Sequence, residues 1–181
     1  HIFPALAIAK SIQKEVSNVD FLFVGAQDRM EMEKIPNEGY KIIGLWISGL
    51  QRGFDRRNLL FPFKLLYSIW KANDVIKDFG PDLAIGTGGY ASAPLLYMAA
   101  QRKIPCLIQE QNSYPGITNK LLARYVDKIC VAYDGMERFF PSKKTIVTGN
   151  PIREDILGFE RKNKGGQQLF KIDPSKPTVL V

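Results

Sequence analysis

The chain has 181 residues, 45% hydrophobic and 24% charged, with a formal net charge of +7 and a single histidine. That composition excludes a disordered or collagen-like chain and suffices for one well-filled domain plus part of another. The positive balance suits phosphorylated small molecules, anionic lipid or simply a soluble surface; no basic recognition helix, zinc-finger spacing or RNP motif points to nucleic acid, and no run approaches the roughly 20 apolar residues of a membrane span.

In chain order, the spacing predicts a helix over Ile2–Val16 with Pro4 in its first turn. Asp20–Gly25 reads as a short buried strand, and Asp28-Arg-Met-Glu31 as a capping box that starts a short helix. Tyr40–Leu45 is the next strand. A loop rich in Gly, Ser and Arg leads into a long helix from about Asn58 to Phe79. Further short strands are expected at Asp82–Ile85, Pro105–Gln109, Lys128–Ala132 and Thr145–Thr148, with helices starting near Ser92, Gly116 and Gly135. Arg161–Gln168 has no apolar period and reads as a surface loop. The chain opens at His1 with the helical pattern already running, and closes on Pro177–Val181, which reads as a strand at its start. The expectation is an internal piece of a longer protein. Cys106 and Cys130 lie in apolar runs and read as buried free thiols of a reducing cytosol.

Short apolar strands alternating with helices imply βαβ units and a Rossmann-like parallel sheet flanked by helices. Ligands of such sheets bind at the carboxyl ends of the strands. Three segments fall there: Gly86-Thr-Gly-Gly-Tyr90, Gln109-Glu-Gln-Asn112 and Gly149-Asn-Pro-Ile-Arg153. The glycine loop is either an anion cradle at a helix N-terminus or a tight turn; Ser92 can cap that helix and Pro94 suits its first turn. It is neither a Walker loop nor GxGxxG. His1, just before the first helix, faces the same edge. It is a proton acceptor or a structural histidine. Glu110 could orient a hydroxyl or act as a base, or it is a capping carboxylate. Asn112 suits sugar hydroxyls or an acetamido group, or makes a turn with Tyr114, Pro115 and Gly116. The planar fork of Arg153 suits a diphosphate, or pairs with Glu154 or Asp155. No residues have metal-ligand spacing.

On the long helix, a wheel gives Leu59, Pro62, Leu66, Ile69, Asn73 and Ile76 one stripe, the expected core face. Leu60, Lys64, Tyr67 and Lys71 fall outward, with Phe61, Phe63 and Trp70 on the flanks and Arg52, Arg56 and Arg57 ahead of them. Apolar groups ringed by cations suit an anionic membrane surface; the alternative is a solvated face with snorkelling side chains.

His1-Ile-Phe-Pro4-Ala-Leu-Ala7, Ile47-Ser-Gly-Leu50, Gly88-Gly-Tyr90, Glu110-Gln-Asn112 and Gly149-Asn-Pro-Ile-Arg153 occur in this order. In them the chain resembles the bacterial peptidoglycan N-acetylglucosaminyltransferases, from His1 to about Ile156. The resemblance implies the GT-B fold, two Rossmann-like domains across a cleft. It divides the chain into an acceptor-binding N-terminal domain over 1–156, whose first strand and glycine loop lie upstream, a linker over 157–176, and the start of a UDP-sugar-binding domain at 177–181. It implies inverting transfer of N-acetylglucosamine from UDP-N-acetylglucosamine to the C4 hydroxyl of lipid I, giving lipid II. His1 is then the first candidate base and Glu110 the second. Asn112 would meet the donor sugar and Arg153 its phosphates. Gly88, Gly89 and Tyr90 would hold the acceptor diphosphate. Arg56, Arg57, Leu60, Phe63, Lys64, Tyr67 and Lys71 would face the inner membrane, from its cytoplasmic side and peripherally. Neither cofactor nor metal is implied. The family's usual histidine before Glu-Gln-Asn is Gln109 here, which removes that position as a base. Other GT-B enzymes (a UDP-sugar epimerase, a diacylglycerol glycosyltransferase) or a non-catalytic α/β binding module are the alternatives. The piece alone is expected to be inactive.

Overall fold

The computed structural model describes residues 1–49 and 59–152. Along them run α1 (Ile2–Glu15), β1 (Leu22–Ala26), α2 (Glu31–Asn37), β2 (Lys41–Leu45), α3 (Phe61–Phe79), β3 (Ala84–Gly86), α4 (Ser92–Gln101), β4 (Cys106–Glu110), α5 (Ile117–Leu122), β5 (Lys128–Val131) and β6 (Thr145–Val147). A single 3₁₀ turn, Met136–Arg138, stands where a helix after Gly135 was expected. All strand pairs are parallel, as the βαβ alternation requires. They form a two-stranded sheet, β1–β2, and a four-stranded sheet in the order β3–β4–β5–β6.

The larger core packs Leu96, Ile108, Ile129, Val131 and Met136 between the four strands and their helices. A smaller one gathers Ala26, Leu45, Ile47, Ala72 and Ala91. Each fully buried aliphatic side chain contributes roughly 1.5–3 kcal/mol. Helices α3 and α4 reach both cores. Ala72 enters the smaller and Ile76 the larger, while Leu95 and Met98 pack against both. Cys106 is buried and Cys130 half-buried, and both are free thiols. Burial, with the Asp127 charge beside it, pushes the Cys106 thiol up to about 11.

Two local readings need correction. Asp28 and Glu31 form no capping box. Met30 occupies the N-cap of α2, and the Glu31 carboxylate instead accepts from the Ala26 N–H at 3.1 Å, tying α2 to the end of β1. The core stripe of α3 is also rotated from the expected one, by about one residue step (~100° at 3.6 residues per turn). Ser68, Ala72, Val75 and Ile76 are buried, whereas Leu59 and Leu66 are exposed. Small side chains at 68 and 72 let α3 approach the sheet, and the Ser68 hydroxyl donates to the Trp46 carbonyl at 3.1 Å. The proposed domain limits at 156 and 176 lie outside the described residues.

Candidate functional site

The carboxyl ends of β3, β4 and β6 meet His1 in one hydrogen-bonded network. The Thr87 carbonyl lies 2.7 Å from His1 Nδ1, and the Gln111 side-chain oxygen 3.1 Å from it. Both are acceptors, so Nδ1 carries a proton, and in the neutral ring the lone pair falls on Nε2. The Thr87 hydroxyl returns a hydrogen bond to the His1 carbonyl at 2.9 Å. Gln111 Nε2 donates to the carbonyls of Thr87 (2.9 Å) and Gln109 (3.0 Å) and also meets the Gln109 side-chain oxygen. Gln109 Nε2 reaches Asn150 Oδ1 at 3.4 Å, and Asn150 Nδ2 reaches the Gln111 carbonyl at 3.3 Å. The three expected loops are therefore joined through Thr87, Gln111 and Asn150, none of which was singled out from the sequence.

The glycine loop is shaped around the imidazole. Gly88 has φ +98° and Gly89 φ +82°, and a Cβ on Gly88 would stand 2.5 Å from His1 Nδ1. Only glycine gives both the left-handed backbone and the space. Ser92 does not cap α4. Its hydroxyl donates to the Gly88 carbonyl at 2.6 Å and so fixes the loop from within the first helical turn. The Tyr90 ring lies against Gly49, where any Cβ would overlap it, and this joins the glycine loop to the segment after β2.

Glu110 is 1% exposed. One carboxylate oxygen accepts from Asn112 N and Nδ2, both at 3.0 Å. The other accepts from the Gly116 N–H at 3.2 Å and from Asn119 Nδ2 at 2.9 Å. A carboxylate with four donors and no exposed surface is a strut, not a proton acceptor for a substrate, so the second-candidate base role does not fit it. Asn112 is exposed, and its amide nitrogen is aimed by Glu110. Arg153, Arg56 and Arg57 lie outside the described residues.

On α3, Leu60, Phe63 and Tyr67 are exposed as expected. Leu59, Leu66 and Trp70 join them, giving one apolar face opposite the core stripe, with Phe63 66% and Trp70 59% exposed. Lys71 is half-buried. Lys64 turns aside from that face: Nζ donates to Ser48 Oγ at 3.1 Å and sits 5.5 Å from the Trp46 ring centroid. Among the described residues no helix is long and apolar enough to cross a membrane, and no group of His, Cys, Asp or Glu could hold a metal ion.

A parallel α/β sheet with polar loops gathered at its carboxyl edge defines a Rossmann-like ligand-binding domain. Residues 1–131 match the model of the glycosyltransferase family 28 N-terminal domain, and the chain belongs to that family. Over its whole length it is 51% identical to the UDP-N-acetylglucosamine--N-acetylmuramyl-(pentapeptide) pyrophosphoryl-undecaprenol N-acetylglucosamine transferase of Christiangramia forsetii, and 50% identical to that of Parabacteroides distasonis. It covers 50% and 49% of those proteins, so the chain spans about half the length of the curated relatives it matches. Among solved structures, Acinetobacter baumannii MurG superimposes with a TM-score of 0.68 at 29% identity, over 91% of this chain and 44% of that one. The UDP-GlcNAc 2-epimerase of Neisseria meningitidis, bound to UDP-GlcNAc, gives 0.62 at 18% identity, over 96% and 51%, a likeness of fold.

Proposed function

We propose that the whole protein transfers N-acetylglucosamine from UDP-N-acetylglucosamine to the C4 hydroxyl of undecaprenyl-diphospho-N-acetylmuramyl-pentapeptide. The observation that carries this reading is His1, whose Nδ1 proton is committed to a backbone carbonyl, so that Nε2 is the nitrogen of the neutral ring that can accept a proton. In the reaction the acceptor oxygen bonds to the anomeric carbon and its proton passes to Nε2. The bond from that carbon to the UDP oxygen breaks, and the electron pair leaves with UDP. One-sided displacement inverts the anomeric centre. Asn112, aimed by Glu110, contacts the donor sugar, and Arg153 its phosphates. Gly88, Gly89 and Tyr90 take the acceptor diphosphate beside the imidazole. The apolar face of α3 sits on the anionic cytoplasmic surface of the membrane, so the enzyme is peripheral, and Arg56 and Arg57, which precede α3 in the sequence, add positive charge to that association. The curated relatives at about 50% identity support a transferase over an epimerase, since both carry the transferase name.

The test is transfer from UDP-N-acetylglucosamine to a lipid I analogue by the full-length protein. His1→Ala should lower kcat by about 10²–10⁴-fold, with the KM for UDP-N-acetylglucosamine little changed. An unaltered kcat removes His1 as the base. Arg153→Ala should raise the donor KM instead, and an unchanged donor KM would argue against its phosphate contact.

A further inference from the structure

A cavity opens beyond the carboxyl ends of β1 and β2. Its volume is about 220 Å³, and Gln27, Asp28, Arg29, Trp46, Ser48 and Lys64 line it. The chemistry of its wall is mixed. Lys64 spends one N–H on Ser48 and has two left, and the Arg29 guanidinium has no ion-pair partner among the described residues. Asp28 supplies an acceptor and Trp46 an apolar side. The Tyr90–Gly49 contact joins this cavity to the glycine loop, because Ser48 precedes Gly49.

We infer that this cavity binds the peptide part of the acceptor, with Arg29 and Lys64 taking a peptide carboxylate. The inference rests on the transferase reading above. Two cations in the lining of one cavity call for an anion. A phosphate or lipid headgroup would use the cations alone, with no donor to spend on Asp28 and no apolar group for the indole. A short peptide offers a carboxylate for the cations, amide N–H groups for Asp28 and methylenes for Trp46. The space holds one or two residues, not a whole pentapeptide. Arg29 and Lys64 are thus specificity-determining residues for the acceptor, separate from the groups that meet the diphosphate.

The experiment is calorimetric binding of soluble N-acetylmuramyl-pentapeptide, which has neither lipid nor diphosphate, to the full-length protein. Arg29→Gln and Lys64→Gln should each weaken binding about tenfold or more, the loss of one charge-assisted hydrogen bond. Lys64→Arg should stay within about threefold of the original. Amidating the peptide carboxylates should weaken binding to the unaltered protein by a similar factor. Equal affinity of Arg29→Gln and the unaltered protein would overturn the inference. So would a variant that keeps peptide affinity but loses binding to vesicles containing anionic phospholipid, which would make the cavity a headgroup site. Because binding is read without turnover, a protein that binds the peptide but transfers no sugar would sink the transferase reading alone. One that transfers sugar but ignores the peptide would sink this inference alone.

Discussion

Beneath the His1 ring the backbone of Gly88 takes φ +98°, and a methyl group there would meet both the imidazole and a strained conformation. Gly88→Ala should therefore cost about 1–3 kcal/mol of stability, seen as a lower Tm, and should lower transfer further by moving the imidazole; transfer intact at full Tm would show that the ring is not held by this loop. At Glu110 four donors converge on one carboxylate. Glu110→Gln turns one of those acceptors into a donor facing another donor, at a cost of about 1–3 kcal/mol. If Glu110 positions Asn112, the variant should also raise the KM for UDP-N-acetylglucosamine while kcat changes less. A fall in Tm alone would leave it a purely structural residue. Strand-end position in the sequence marks Glu110 and Asn112 as candidates. Which of them was buried was not legible, because two of the four donors come from Gly116 and Asn119, whose turn back toward β4 is a tertiary event.

Helix α3 carries apolar side chains almost all the way round, so its period alone could not tell the buried face from the exposed one. The choice was made by packing: Ser68 and Ala72 are small enough to lie against the sheet, and the larger Phe63, Leu66 and Trp70 are left outside. That outer face is where membrane association is to be tested. Phe63→Asp with Trp70→Asp should reduce binding of the full-length protein to anionic vesicles. Because both sites are exposed, folding stability should stay within about 0.5 kcal/mol per site. Undiminished vesicle binding would remove α3 from the membrane contact. The strands themselves were legible to within about two residues, since short apolar runs between Gly, Pro and Asp have few other readings. The capping box failed because Glu31 had a better donor in Ala26 than in its own helix start.

At the scale of the molecule, parallel βαβ order followed from alternation alone, but the division into a two-stranded and a four-stranded sheet did not, since sequence order does not say which neighbours hydrogen-bond. One feature that joins the cores governs how the fold opens. Leu95 and Met98 of α4 pack against both cores, and α3 sends Ala72 into one and Ile76 into the other. A seam shared in this way couples the two sides, so damage to it is felt on both. In the full-length protein, Leu95→Ala should lower the opening free energy, under native-state hydrogen exchange, at Phe23 to Gly25 and at Ile108 and Ile129 together. A loss confined to one of these sets would mean that the two cores open independently.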